Sequence, residues 1–179
     1  MARPGRVVVA GAVTGLLLVA FGKSLQTTTG TTAQAAVVPK TIDIPSIDVE
    51  APLMKLGLKD GELELPPYEK PKVAGWYTGS AVPGEKGASV IVGHVDTKTA
   101  PAVFYRLRQL RKGEIVKVER SDGKVVRFKV DAIEQVHKDR FPTRKVYLED
   151  GLKLVTCGGV FDYAKGEYLD NIIVYASRA

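Results

Sequence analysis

The sequence predicts a mainly β fold, an antiparallel or mixed β-barrel with one or two short helices, preceded by an N-terminal transmembrane helix. Beyond residue 39 the apolar runs are short, enough for seven or eight strands. Only one stretch of that region has helical spacing. Strands and helices do not alternate as a parallel βαβ sheet requires, which leaves the barrel as the leading architecture.

The chain divides into four segments. Residues 1–6 form a basic tail with Arg3 and Arg6. Residues 7–22 (VVVAGAVTGLLLVAFG) carry Thr14 as their only polar side chain. At 1.5 Å per residue they reach about 24 Å, and the flanking Arg6 and Lys23 can snorkel, so a short span is workable. A cleaved signal peptide is the rival reading, since Ala33-Gln34-Ala35 fits a small-x-small site. That site lies far beyond the apolar run, which favours an uncleaved signal anchor. The expected location is a single-pass membrane protein, basic N-terminus inside and domain outside. Residues 23–38, rich in Thr, Ala and Gln, read as a linker. The folded domain is expected over 39–179.

Within it, Thr41–Ile44 alternates up to Pro45, and Val49–Leu58 reads as an irregular strand before the Asp60-Gly61 turn. Pro66, Pro67 and Pro71 exclude helix or central strand from Leu65–Pro71. Trp76, after Gly75, is expected in the core. Ala88–His94 reads as a hydrophobic strand that ends on His94. Val103–Leu110 is the helical candidate, with Phe104, Leu107 and Leu110 on one face and Gly113 beyond its end. Glu114–Glu119 and Lys124–Val136 flank Ser121-Asp122-Gly123, a hairpin signal. Lys138–Tyr147 reads as a polar loop. Leu152–Cys157 is a strand ending on the cysteine, and Asn171–Ala176 is a final buried strand. No internal repeat is present.

Charge narrows the function. The net +6 comes largely from residues 1–40, which hold four basic side chains and no acid. The rest carries 22 basic and 20 acidic groups, without the basic face of a nucleic-acid binder. One cysteine makes no internal disulfide, and an unpaired thiol on an exported domain points to intermolecular pairing or chemistry. Two strands end on reactive side chains, His94 and Cys157, which suggests a nucleophile and its proton carrier. His137 reads as a surface histidine. Asp43, Asp48, Glu50 and Asp60 lack the spacing of a calcium loop, and no phosphate-binding fingerprint is present, so no metal or cofactor is expected.

Five pieces in order, Ala74-Gly75-Trp76-Tyr77, Gly93-His94-Val95-Asp96, Val103-Phe104-Tyr105-Arg106-Leu107, Phe141-Pro142-Thr143 and Thr156-Cys157-Gly158-Gly159, resemble the actinobacterial class F sortases. The likeness covers residues 41–177. It implies an eight-stranded sortase β-barrel and a cysteine transpeptidase of the Gram-positive cell surface. Cys157 would cleave an LPxTG-like sorting signal after Thr through a thioester. An amine of a cell-wall precursor or a pilin would resolve that thioester, and His94 would carry the proton. The implied partners are surface proteins bearing sorting signals. The family's third catalytic residue, an arginine on the last strand, falls near Leu169 here. Arg106, Arg140, Arg144, a backbone N–H or Asn171 could take its role, whereas Arg178 lies past the strand. The alternatives are another envelope thiol hydrolase and a non-catalytic binding module of the same fold.

Overall fold

The computed structural model describes residues 36–179. The expected anchor at 7–22 and most of the linker lie outside the described residues. The strands are β1 (Pro39–Ile44), β2 (Val49–Leu56), β3 (Leu58–Lys59), β4 (Glu62–Leu63), β5 (Ala74–Tyr77), β6 (Ala88–Val92), β7 (Ile115–Arg120), β8 (Val125–His137), β9 (Gly151–Asp162) and β10 (Glu167–Arg178). A closed barrel has the order β1-β2-β5-β6-β9-β10-β8-β7, eight strands in all, while β3 and β4 form a separate small hairpin. The β2–β5 and β6–β9 pairs are parallel and the other barrel pairs antiparallel.

Period-two alternation explains why the barrel closes on these residues. Ile42, Ile44, Val116, Val118, Leu152, Leu154 and Val174 are fully buried and share one cluster, the barrel interior. Trp76 lies in that cluster, and its Nε1 donates to Ala81 O at 3.1 Å. Each such side chain contributes about 1.5–3 kcal/mol by leaving water. The opposite face of the sheet is not bare. Val90, Val92, Val155, Ile173 and Tyr175 form a second buried cluster with Val146, from the short helix α1 (Thr143–Tyr147). The sheet is therefore apolar on both faces around β6, β9 and β10, and β6 is buried at every position, Ser89 included, for that reason.

Four expectations are corrected. The Val103–Leu110 segment is a series of turns ending in a single 3-10 turn, Leu107–Gln109. Phe104, Leu107 and Leu110 are buried as expected, but their spacing of three is the 3-10 period, and one turn of it does not sustain an α-helix. The loop after β8 contains a 3-10 turn (Lys138–Arg140) and α1. The strand expected to stop at Cys157 runs on to Asp162, so Cys157 lies within β9 rather than at its end. A bulge accounts for this: Tyr168 pairs with Phe161 but Asp170 with Gly158, and Gly159 has φ +78. Only glycine adopts that backbone cheaply, which lets the ladder absorb Gly158-Gly159 instead of breaking. Finally, the irregular strand from Val49 ends at Leu56, and Leu58 begins the β3–β4 hairpin, whose Asp60 and Gly61 both have positive φ, as a type I′ turn requires.

Candidate active site

His94 and Cys157 are brought together by strand register. In the parallel β6–β9 pair, Val92 faces Val155, and the Gly93 N–H donates to Val155 O at 3.1 Å, continuing the ladder past the end of β6. Each candidate residue therefore stands two positions beyond a paired valine, on neighbouring strands running the same way. Val92 and Val155 both belong to the outer apolar cluster. Alternation along β9 puts Cys157 on that outer face, with Leu154 turned into the barrel.

His94 is held on several sides. It is 7% exposed, and its backbone oxygen accepts from the Phe104 N–H at 3.0 Å. A side chain at Gly93 would collide with Val103 and Phe104, so glycine is needed for this close approach. The proline-rich segment between β4 and β5 lies over the imidazole. Pro66 O is 2.6 Å from His94 Nε2, and the Tyr68 ring stacks on it at 4.2 Å with an 18° interplanar angle. A carbonyl only accepts, so Nε2 carries a hydrogen, and Nδ1 is the basic nitrogen of the neutral ring.

Cys157 is half-buried and free. Burial pushes its thiol pKa up. Lys138 opposes that shift, while Asp96 and Glu167 add to it. These three are the charged groups that act on the thiol. Tyr168 donates to Asp96 Oδ2 at 2.5 Å, tying β10 to the turn that follows His94. That bond, with burial behind it, pushes the Tyr168 phenol up to about 12. Lys138 pairs with Glu167 at 2.6 Å and holds its carboxyl below the usual range. Asn171 lies opposite Cys157 in the β9–β10 register, and its Nδ2 donates to Thr156 O at 3.3 Å.

Among the described residues, no hydrogen bond or ion pair ties a candidate arginine to Asp96, Lys138, Glu167 or Tyr168. Arg106 pairs with Asp48 at 2.6 Å on the wall of a concavity of about 420 Å³, lined in part by Ile47, Val49, Lys72 and Tyr105, that contains neither His94 nor Cys157. Arg140 and Arg144 are exposed, and Arg178 donates to Gly84 O at 3.4 Å. His137 bonds Asp139 at 2.6 Å on the surface. Among the described residues, no group of three or more His, Cys, Asp or Glu side chains is arranged to hold a metal ion. Asp96, Lys138, Tyr168 and the Pro66–Tyr68 cover had no role in the sequence reading. Each is remote in sequence from at least one of its partners, and only Asp96, two residues after His94, stood inside a recognised motif.

A family model described as "Sortase domain" matches residues 42–179. The chain belongs to the sortase family. Solved sortases share the fold. Sortase C1 of Streptococcus agalactiae aligns with TM-score 0.58 and 23% identity, over 78% of this chain and 66% of that one. Sortase C-1 of Actinomyces oris gives TM-score 0.59 and 26% identity, over 78% and 71%. Sortase A of Corynebacterium diphtheriae gives 0.59 and 24%, over 83% and 63%. This sortase thus spans about two thirds of the length of those chains. No curated protein sequence matches it.

Proposed function

We propose that this sortase is a cell-surface cysteine transpeptidase of the class F type, with Cys157 as nucleophile and His94 as proton carrier. The observation that carries the reading is the register of β6 and β9, which sets the two residues side by side on an apolar outer face. Cys157 Sγ attacks the carbonyl carbon after threonine in an LPxTG-like sorting signal, and the carbonyl π pair moves onto oxygen. Collapse of that adduct expels the glycine amine, which takes a proton from the His94 imidazolium, and leaves a thioester on Cys157. An acceptor amine then attacks the thioester, giving its proton to the imidazole, and the thiolate departs as the new amide forms. Burial disfavours the thiolate, so the thiol passes its proton to the imidazole before Sγ attacks. The apolar segment 7–22 supports a membrane-anchored domain facing outward, with surface proteins as donors and a cell-wall precursor or pilin amine as acceptor.

Leu169, in the place of the family's arginine, favours a second reading, a binding module without turnover. Incubating the full-length chain in detergent with an LPxTG-type peptide library and a small amine separates the two. Transpeptidation predicts amide product in excess of hydrolysed acid, lost in both Cys157→Ala and His94→Ala. A folded chain that gives no product across the library would support the binding module.

A further inference from the structure

We propose that Lys138 is the cation of this active site, supplying from the neighbouring strand end the positive charge that Leu169 does not. The inference rests on the transpeptidase reading above. Across β9, β10 and β8 the register runs Cys157, Asn171, Val136, a single row on the outer face. The pair after Asn171 and Val136 is Asp170 with His137. Lys138 follows His137 directly, as the first residue of the 3-10 turn beyond that last pair. Val136 belongs to the outer apolar layer, and Lys138 lies two residues on, just past the end of β8. The 2.6 Å pair with Glu167 brings the Lys138 ammonium to β10 two residues from Leu169, so a charge lost from position 169 is replaced from position 138.

The side chain is placed for the task. Lys138 is one-third exposed, and its ammonium is held by Glu167 Oε2 at 2.6 Å rather than left to sample solvent. Glu167 lies on β10, two residues before Leu169, so the ion pair anchors the lysine over the end of the strand beside the Gly159 bulge. The sulfur senses this charge: Lys138 is the one group that lowers the Cys157 pKa against burial, Asp96 and Glu167. In the acyl step the ammonium donates a hydrogen bond to the oxygen that turns anionic as Sγ adds. It transfers no proton and forms no bond to carbon, so it acts by charge stabilisation alone. Lysine offers a point charge and not the bidentate fork of arginine, which suits a single oxyanion.

The test needs no known substrate for its first arm. Cys157 in the full-length chain in detergent is alkylated with neutral iodoacetamide and with anionic iodoacetate, and the ratio of the two rates reports the local field whatever the thiol pKa. Lys138→Met should lower the iodoacetate-to-iodoacetamide ratio about 3- to 10-fold at low salt, with less effect at high salt. Lys138→Arg should keep the ratio, and Leu169→Arg in the Lys138→Met background should restore it. Glu167→Gln should raise it. An unchanged ratio in Lys138→Met would overturn the proposal. In the second arm, acyl-enzyme formation from a sorting-signal peptide should fall about 100-fold in Lys138→Met, as for loss of an oxyanion donor, and recover in the Leu169→Arg double variant. Full acylation by Lys138→Met would also overturn it. Failure of the wild-type chain to acylate would instead overturn transpeptidation itself and with it this role, even where the alkylation ratio had located the charge.

Discussion

Alkylation of Cys157 by iodoacetamide should climb steadily with pH, without a plateau below about pH 8.5. The perturbation is pH alone, and the burial of the thiol sets the scale. An unperturbed cysteine near 8.5 is about 3% thiolate at pH 7. Cys157 is pushed above its ordinary value, first by burial and then by Asp96 and Glu167 against Lys138, so it holds less. Well below its pKa a thiol gains about tenfold in thiolate per pH unit, so the rate should rise about 100-fold from pH 6 to 8. A short unstructured peptide with an internal cysteine, run alongside, should level off sooner. The same shift bears on stability. A group whose folded pKa is raised contributes stability that is complete below its unfolded value and is lost as pH rises through the folded one. Unfolding free energy should therefore fall above about pH 8.5, with a shallower slope in Cys157→Ala. Pseudo-first-order rates by intact mass at a series of pH values suffice. A plateau below about pH 7.5 would refute the reasoning, because it would mean a resting thiolate–imidazolium pair strong enough to overcome burial.

Other perturbations probe the scaffold. Gly93→Ala puts a Cβ 2.6 Å from Val103 Cγ1 and 2.7 Å from Phe104 Cδ2, and should cost about 1–3 kcal/mol in a denaturant titration. Tyr168→Phe removes the donor to Asp96. It should cost about 1–2 kcal/mol by the same assay and delete the phenol that ionises near 12 in an ultraviolet pH titration. Arg106→Ala breaks an ion pair whose side chains are 51% and 82% exposed, so stability should change by less than about 1 kcal/mol. Its Cys157 alkylation ratio should match wild type, which separates Arg106 from Lys138.

The barrel was legible because its strands obey simple alternation. Val126, Phe128 and Val130 face inward in the structure as their spacing predicts. The pattern then slips. The β8–β10 register shifts between Tyr175 and Ala176, after which Ile133 faces the interior cluster and Ala132 and Val136 the outer one. A bulge of that kind leaves no mark in a stretch such as Asp131–Arg140, and it sets the side of the sheet on which Val136 lies. The Gly159 bulge similarly hid the continuation of β9. His94 and Cys157 stood out because each followed an apolar run, and parallel pairing in register needed no further information to join them. The cover of Pro66 and Tyr68 over His94 could not be read at all, since it depends on how a 17-residue connection between β2 and β5 folds back. Proline content excluded regular structure there but carried no target for the loop.

The most direct test of the account is an intact-mass measurement on the full-length chain in detergent, mixed with a cleavable sorting-signal peptide and no added amine. The account predicts a mass increase equal to the peptide fragment ending in threonine, located on Cys157, discharged by hydroxylamine and absent in Cys157→Ala. A cleaved peptide with no adduct, or an adduct that survives in Cys157→Ala, would contradict it.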